Sequence, residues 1–449
     1  MRRISLLYRL FELTPYRILL LSHIAIIILG SFLLYMPFST TKRISYLDAL
    51  FTATSATTVT GLTTLDTEKD FTFFGKLVIL ILIQLGGLGY MTITTYFLVV
   101  LRKKLSLRDR LILAESFNYP GIYGLVRFLK RIIPIVFLIE LLGTLALFPS
   151  FLFHIGKLDE ALFSSLFHSV SAFNNAGFST FSSNLINFRA SIWVNLVISF
   201  LIILGGIGFY VIYELLLYIR GEVKRLSTHT KLALTSSTML IFAGFFLLII
   251  DLWSFKDLSL KEKFIASLFH SISARTAGFN TLDISKLSEA SQFVLVNLMF
   301  IGASPGGTGG GIKTITATVV FLTVFSYLKG KHEVTAFGRR LIDAQVHRAM
   351  VILSLAFAYC TFVSMALAEI EGIRLLPALF ETVSAFATVG LSIGNPQGLS
   401  LSADFSPFGK GLIVLTMIVG RVGVLSFMLA LLGKERRSSV KLPEARLLI

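Results

Sequence analysis

Eight apolar stretches alternate with polar segments along the chain. Each is long enough to cross a bilayer as a helix, because about 20 residues span the ~30 Å hydrocarbon core. The predicted spans are residues 17–37, 77–101, 132–153, 192–218, 232–253, 293–328 (broken), 349–369 and 409–432. A mean hydropathy of +0.80 and a charged fraction of 15% agree, since a soluble chain of 449 residues needs a more polar surface. The pattern predicts an all-α polytopic membrane protein.

The basic residues lie mainly in alternate polar segments. Most of the 41 Lys and Arg occur in the two tails and in the connections 102–131, 218–231 and 329–348. By the positive-inside rule both termini are cytoplasmic, in a protein of the cell membrane. The net charge of +16 then reflects topology and attraction to anionic lipid, and its dispersal argues against nucleic-acid binding. The single cysteine, Cys360, excludes a disulfide framework.

One short phrase, Leu-Phe-x-x-x-Ser-Ala, occurs four times between apolar stretches, and each copy is followed by a glycine. The copies begin at Leu50, Leu166, Leu268 and Leu379, and the glycines are Gly61, Gly177, Gly278 and Gly390. They define four parallel repeats at residues 1–104, 105–220, 221–330 and 331–449. Each repeat is predicted to contain a helix, a half-helix re-entrant pore loop and a second helix. Eight transmembrane helices would then surround a pseudo-fourfold pore.

The predicted selectivity filter consists of the four hairpins that follow the half-helices. Its residues are Thr58, Val59, Thr60 and Gly61; Asn174, Asn175, Ala176 and Gly177; Arg275, Thr276, Ala277 and Gly278; and Ala387, Thr388, Val389 and Gly390. The negative end of each helix dipole favours a cation there. Backbone carbonyls without an acidic ring suit a large, weakly hydrated monovalent ion better than Ca²⁺ or Mg²⁺. K⁺ bound by the carbonyls is therefore the predicted substrate.

The third hairpin is one residue shorter than the others and carries Arg275. A charge at this position would weaken a cation site if it faced the ion. We expect Arg275 to point behind the filter and to pair with a carboxylate such as Asp283 or Glu289.

The outgoing helices contain glycine clusters at 86–89, 205–208 and 420–423, which predict close helix crossing. The third outgoing helix alone is expected to break, within Ser304, Pro305, Gly306, Gly307, Thr308, Gly309, Gly310 and Gly311. Unwound backbone inside a membrane must be buried in protein or line a watery cavity. A mobile gate is the favoured interpretation, and a static re-entrant linker is the alternative.

Two cations accompany this glycine-rich stretch. Arg421 takes the place that Gly87 and Gly206 hold in the first two repeats, and it should project toward the axis below the filter. There it would act as a barrier or bind the glycine loop; the alternative is a structural pair with Glu140. Lys313 is expected to mark the cytoplasmic edge of the loop.

Two other functions are alternatives to an ion pore. A K⁺/Na⁺ or K⁺/H⁺ symporter would need a mid-membrane carboxylate, for which Glu140 is the candidate, and usually inverted repeats with paired broken helices. An enzyme would need a catalytic constellation. His168 and His270 occupy equivalent places in two repeats, so packing and hydrogen bonding explain them better than catalysis does.

With the four hairpins, the broken helix and Arg421, the chain resembles the Ktr/Trk/HKT superfamily of potassium transporters, and within it the bacterial Ktr membrane subunit. The resemblance covers essentially the whole chain. Gly61 stands where sodium-preferring plant members carry serine, which implies K⁺ selectivity. The resemblance also implies a homodimer and a cytoplasmic ring of RCK-type regulatory subunits, whose bound ATP or ADP moves the loop. It implies stimulation by Na⁺, although no sodium site is recognisable in the sequence.

Overall fold

A computed structural model describes residues 15–432 of the protein, except 90–123, 254, 256, 332 and 396–397. The described chain is almost entirely helical, as predicted. Its helices are α1 (Pro15–Tyr35), α2 (Tyr46–Thr58), α3 (Phe73–Leu88), α4 (Leu125–Ile155), α5 (Leu158–Phe173), α6 (Ile192–Gly206), α7 (Phe209–Ile219), α8 (Thr228–Leu252), α9 (Leu260–Ser273), α10 (Glu289–Phe300), α11 (Thr314–Leu328), α12 (Asp343–Glu371), α13 (Leu375–Phe386), α14 (Pro407–Val422) and α15 (Val424–Leu432). The strands β1 (Thr335–Ala336) and β2 (Arg339–Arg340) form a small antiparallel ribbon between α11 and α12.

Several helices have the length and apolar composition of membrane spans. Among the described residues these are α1, α4, α8 and α12, joined by α6–α7 and α14–α15 if each bent pair is one span. Helix α3 ends at Leu88, and residues 90–101 of the second predicted span lie outside the described residues. The prediction of a multi-pass helical membrane protein is confirmed.

The prediction that only the third outgoing helix breaks is wrong. The pairs α6–α7 and α14–α15 are each bent by 99°. The breaks occur at Gly208 (φ +103°) and Gly423 (φ +89°), in a backbone region that residues with a Cβ rarely adopt. The last glycine of each cluster therefore ends a helix, so the apolar runs 192–218 and 409–432 do not form straight spans.

The short helices α2, α5, α9 and α13 each pack against the helix that precedes them in the chain and against the outgoing helix of a neighbouring repeat. Helix α3 packs against α5, α6 against α9, and α10 against α13; the circle closes because α14 packs against α2. The phenylalanine of the repeated phrase packs into the hydrophobic core beside each short helix. These side chains, Phe51, Phe167, Phe269 and Phe380, are all fully buried. The arrangement brings the C-terminal ends of the four short helices together.

Candidate functional site

Four glycines form a closed ring of contacts, which we call the hairpin ring. A Cβ added to any of them would collide with the carbonyl oxygen that precedes the next glycine. The pairs are Gly61 with Ala176, Gly177 with Ala277, Gly278 with Val389, and Gly390 with Thr60. Each such Cβ would also lie 2.9–3.1 Å from the next glycine's Cα. Only hydrogen fits these positions, which gives the recurrence of glycine in all four hairpins a steric reason.

Each hairpin makes the same unusual turn before its glycine. In each hairpin, the residue two positions before the ring glycine has a left-handed backbone conformation although it is not glycine. These residues are Val59 (φ 58°), Asn175 (φ 58°), Thr276 (φ 79°) and Thr388 (φ 51°). Such a conformation costs roughly 1–3 kcal/mol and persists only where the surroundings enforce it. The next residue in each hairpin donates its N–H to the carbonyl of the phrase's serine at 2.8 Å. The turn is thus held against the end of the short helix.

The serine side chain of the phrase braces the hairpin a second time. The Oγ atoms of Ser55 and Ser384 accept hydrogen bonds from Gly61 N (3.0 Å) and Gly390 N (3.1 Å). In the other two repeats the hydroxyl donates instead, from Ser171 to Phe178 O (2.8 Å) and from Ser273 to Phe279 O (2.5 Å). Sequence reasoning did not place these serines in the site, although their presence in every copy was a usable signal.

On the side of the ring away from the glycine loop, all four ring glycines line one open cavity of about 770 Å³. The cavity wall combines glycines and small hydroxyl side chains with apolar side chains, and it includes the carboxylates Asp66 and Asp283. A hydrated cation could therefore reach the hairpin ring through this wide mouth. Its two carboxylates pair with Lys69 (3.5 Å) and Lys286 (3.7 Å).

The glycine clusters lie where the outgoing helices touch the ends of the short helices. A Cβ at Gly86, Gly205 or Gly420 would strike the carbonyl oxygen of Thr57, Phe173 or Phe386. These three carbonyls end the short helices α2, α5 and α13. The clusters therefore permit the close crossing that their sequence predicts, and they set the depth of the hairpins in the bundle.

Residues 301–313, the glycine loop, replace the continuous helix of the third repeat and lie beneath the hairpins. Their backbone amides bond to the broken end of α6, with Ser304 N donating to Gly206 O (2.9 Å) and Thr308 N to Gly205 O (3.2 Å). Gly310 N donates to Thr388 Oγ1 of the fourth hairpin (2.8 Å). The loop thus bonds directly to residues of two other repeats, and its polar backbone is not left bare in the membrane.

Arg421 bridges the glycine loop and α3. Its guanidinium donates to Thr308 O and Gly86 O, with a longer contact to Gly87 O at 3.4 Å. Of the two alternatives for this residue, the structure shows the contact with the loop and not the pair with Glu140. Lys313 stands at the end of the loop, and its ammonium folds back onto Gly309 O and Gly310 O. Two cations therefore hold loop carbonyls.

The predicted carboxylate partner of Arg275 is wrong. The guanidinium donates to Ser237 O (3.1 Å) and Ser237 Oγ (3.0 Å) on α8. Asp283 instead caps a short 3₁₀ turn, and Glu289 pairs with Arg374 at 2.5 Å. Its two terminal nitrogens thus bond to a backbone carbonyl and a hydroxyl, its Nε has no hydrogen-bond partner among the described residues, and Arg275 points away from the ring as expected.

The remaining candidate residues have structural partners. Glu140 accepts from Gln84 Nε2 (3.1 Å) and Asn174 Nδ2 (3.0 Å). His168 contacts Ser164 O (2.8 Å) and Ser179 Oγ (2.9 Å), while His270 contacts Ala266 O (2.8 Å). Both histidines are buried in equivalent places, so the predicted packing and hydrogen-bonding role is the one observed.

These features define a helical membrane protein in which four hairpins meet at one ring. The glycine loop lies beneath the ring, and its carbonyls accept hydrogen bonds from Arg421 and Lys313. The family model described as "TrkH: Cation transport protein" matches residues 12–440. The chain therefore belongs to the TrkH family of cation transport proteins, which confirms the superfamily inferred from the sequence.

Named relatives and a solved structure agree with this assignment. The chain is 39% identical to Ktr system potassium uptake protein B of Bacillus subtilis, over 96% of each chain. It is 34% identical to the potassium/sodium uptake protein NtpJ of Enterococcus hirae, over 98% of each. The crystal structure of the potassium transporter TrkH from Vibrio parahaemolyticus shares the fold, with a TM-score of 0.72 at 20% identity, covering 94% of this chain and 86% of that one.

Proposed function

We propose that this protein takes up K⁺ across the cell membrane through a gated, channel-like pore on the axis of the hairpin ring. Membership of a cation transport family and the names of the two relatives support the class of substrate. The four parallel helix–pore-loop–helix repeats would surround the pore, with both termini in the cytoplasm. The observation that carries the proposal is the closed glycine–carbonyl ring at the base of the outer cavity.

In this mechanism the backbone carbonyls of the hairpins replace the hydration shell of the ion. Four short helices aim their negative ends at the ring, which favours a cation without a fixed acidic ligand. A monovalent ion that sheds its water readily suits such a site better than a divalent ion does. The predicted filter residues of all four hairpins are therefore assigned to K⁺ binding.

The glycine loop is the proposed gate. It lies under the hairpins, Arg421 and Thr388 bond it to the fourth repeat, and Lys313 donates to the loop's own carbonyls. To open, the loop must break these hydrogen bonds and form others. Its glycines have the backbone freedom that this movement requires. Hydrogen bonds to side chains such as Arg421 and Thr388 can be exchanged without breaking a helix, which supports the gate.

The proposed partners follow from the resemblance. The pore subunit would form a homodimer and bind an RCK-type cytoplasmic ring, whose ATP- or ADP-bound state sets the gate, with Na⁺ as an activator. Two relatives, from Bacillus subtilis and Vibrio alginolyticus, are named as proteins of a Ktr system, which supports a system of more than one component.

Flux into liposomes tests the proposal. Purified protein should carry a Rb⁺ tracer, and excess Na⁺ should compete poorly. Gly61→Ser should lose this discrimination, because its side chain would collide with Ala176 O in the ring. Gly156→Ser is the matched control: Gly156 has a similar φ of +78° but nothing within 4 Å of its Cβ position, so it should keep native selectivity.

Two results would contradict the proposal. One is native flux that prefers Na⁺. The other is flux that requires a second ion gradient in fixed ratio, which would favour the symporter. Equal loss of selectivity in Gly61→Ser and Gly156→Ser would remove the hairpin ring from the mechanism.

A further inference from the structure

The side chain that follows the phenylalanine of the repeated phrase is polar and buried in all four repeats, yet it has no role in the function proposed above. These residues are Thr52, His168, His270 and Glu381. In two repeats the side chain reaches the serine that stands two positions after the ring glycine. His168 Nε2 lies 2.9 Å from Ser179 Oγ, and Glu381 Oε2 lies 2.7 Å from Ser392 Oγ. We call these two pairs the mouth braces, because both serines line the cavity that the ring glycines share.

Both serines of the mouth braces make the same local turn. Each Oγ atom accepts the N–H of the residue two positions further on, from Phe181 to Ser179 (3.0 Å) and from Gly394 to Ser392 (3.1 Å). Ser392 Oγ accepts a second N–H, from Leu401 (2.8 Å). Because these oxygens already accept from backbone amides, the hydroxyl hydrogen of each serine is directed at its brace partner.

Both brace partners offer the serine an acceptor. The Nδ1 atom of His168 contacts Ser164 O (2.8 Å), and a carbonyl can only accept, so Nε2 of the neutral ring accepts the hydroxyl of Ser179. The other oxygen of Glu381 accepts from Ser402 N (2.9 Å) and from the Ser402 hydroxyl. Each mouth brace therefore ties the chain that leaves a ring glycine to the short helix of the same repeat.

The first and third repeats have no mouth brace within the part of the chain that the structure describes. Thr52 donates to Asp48 O inside its own helix (2.9 Å). His270 uses one nitrogen to contact Ala266 O (2.8 Å), and its Nε2 has no hydrogen-bond partner among the described residues. The repeats thus differ at this position, although the repeated phrase is the same on either side of it.

The braced repeats hold the chain that leaves the two unbraced hairpins. Thr63 of the first repeat exchanges two hydrogen bonds with Ser400 of the fourth, from Thr63 N to Ser400 Oγ (2.9 Å) and from Ser400 N to Thr63 O (3.2 Å). Asn280 O of the third repeat accepts from Leu185 N of the second (3.1 Å). Thr63 and Asn280 each stand two positions after a ring glycine. Two braces in opposite repeats therefore support all four hairpins on the side of the cavity.

We propose that His168 and Glu381 are positioning residues, which fix the hairpins at the cavity and so set the affinity of the hairpin ring for its cation. The inference rests on the proposed function and deepens it. A ring of carbonyls can replace the hydration shell of an ion only while the spacing of its oxygens is maintained. The serine of the repeated phrase holds each turn from the side of the short helix. The mouth braces hold the chain just beyond the ring glycine.

His168→Leu removes one mouth brace and has a matched control in His270→Leu. Both imidazoles are buried and contact the carbonyl four residues earlier at 2.8 Å, but only His168 reaches a serine beyond the ring. In liposome uptake, His168→Leu should raise the KM for Rb⁺ about fivefold, which corresponds to one net hydrogen bond, and Na⁺ should compete better. His270→Leu should keep the native KM. Loss of folded protein alone would lower the maximal rate and leave the KM unchanged.

Glu381→Gln tests the other mouth brace with almost no change of side-chain volume. The carboxylate accepts from a serine at each of its oxygens, so in either orientation the amide of the variant turns an N–H₂ group toward a donor. The KM for Rb⁺ should rise here too. Glu214→Gln is the control, because Glu214 is also buried and accepts from Ser227 and Thr230, but these bonds cap α8. It should keep the native KM.

A native KM in folded His168→Leu and Glu381→Gln would overturn the inference. So would an equal rise of the KM in His168→Leu and His270→Leu. Ser179→Ala removes the same brace from its other side with a small change of volume, and it serves if the larger substitutions do not fold. It should raise the KM as His168→Leu does, and a native KM in this variant would equally count against the braces.

These failures are distinct from a failure of the proposed function. Selective Rb⁺ flux by the native protein would leave the proposed function intact while the brace variants overturn the inference. Absence of Rb⁺ flux from the native protein would count against the proposed function, and with it against any role of the braces in cation affinity.

Discussion

At the scale of single residues, the repeated phrase has a physical reason at each of its fixed positions. The phenylalanine fills the core beside each short helix, and the serine braces the hairpin through its carbonyl and its hydroxyl. The glycine leaves room for the next repeat's carbonyl. The hairpin residues between serine and glycine vary in sequence yet share one left-handed turn, because the fixed positions on either side impose it.

The serine brace gives a residue-scale prediction. Ser384→Ala removes the acceptor of Gly390 N and should loosen the fourth hairpin, since one such bond contributes about 1 kcal/mol. Discrimination of Rb⁺ from Na⁺ should fall in the liposome assay while total flux remains measurable. Ser364→Ala is the matched control, because Ser364 is equally buried but bonds Thr361 O within α12. Selectivity that is unchanged in Ser384→Ala would show that the brace is dispensable.

At the scale of elements, the breaks in the outgoing helices and the glycine loop depend on one another. The end of α6 at Gly206 leaves carbonyls that α7 does not use, and the amides of Ser304 and Thr308 bond to them. Gly306 O in turn accepts from Phe209 N at the start of α7 (2.9 Å). The loop therefore caps a bend in the neighbouring repeat, so a movement of either element must change the bonds of the other.

Shortening the loop should open the pore. Deletion of Gly309 to Gly311 removes the amide bonded to Thr388 and both carbonyls held by Lys313. We expect higher Rb⁺ flux in liposomes even without a partner subunit. Thr388→Val, which removes only the acceptor of Gly310 N, should act in the same direction more weakly. Unchanged flux in a well-expressed deletion variant would favour the static linker.

At the scale of the whole molecule, polar contacts join the four repeats into a circle. Arg374 pairs with Glu289 (2.5 Å) between the third and fourth repeats. Ser182 N donates to Glu68 (2.7 Å) between the first and second repeats, and Leu185 N to Asn280 O (3.1 Å) between the second and third. The circle closes between the last and first repeats through Lys410 of α14 and Asp48 of α2, whose charged atoms are 2.9 Å apart.

The closing ion pair should contribute measurably to stability. Its side chains are only 15% and 18% exposed, so water screens it less than a surface pair. Lys410→Met should lower the free energy of unfolding in detergent by about 1 kcal/mol. A double-mutant cycle with Asp48→Asn should show that the two side chains are energetically coupled. Lys157→Met, in a pair that is 67% and 53% exposed, should change little. Equal effects of the two lysine variants would contradict this role for the closing pair.

Much of the architecture could be predicted because it depends on local patterns in the sequence. Long apolar runs predict membrane helices, and a phrase repeated four times predicts equivalent segments. The predicted partner of Arg275 was wrong because carboxylates near in sequence were favoured over Ser237, which only folding brings close. The bends at Gly208 and Gly423 were missed because hydropathy is the same for a straight and a bent span.

The sequence by itself determined the membrane setting, the four short helices and the recurrence of glycine after each, since composition, period and spacing are properties of the chain. Only the tertiary structure decided that each ring glycine meets the next repeat's carbonyl, that Arg421 holds the glycine loop, and that Glu140 contacts the second hairpin. The physical reason is that these contacts join residues far apart in the chain. Their partners are chosen by packing, which no local pattern records.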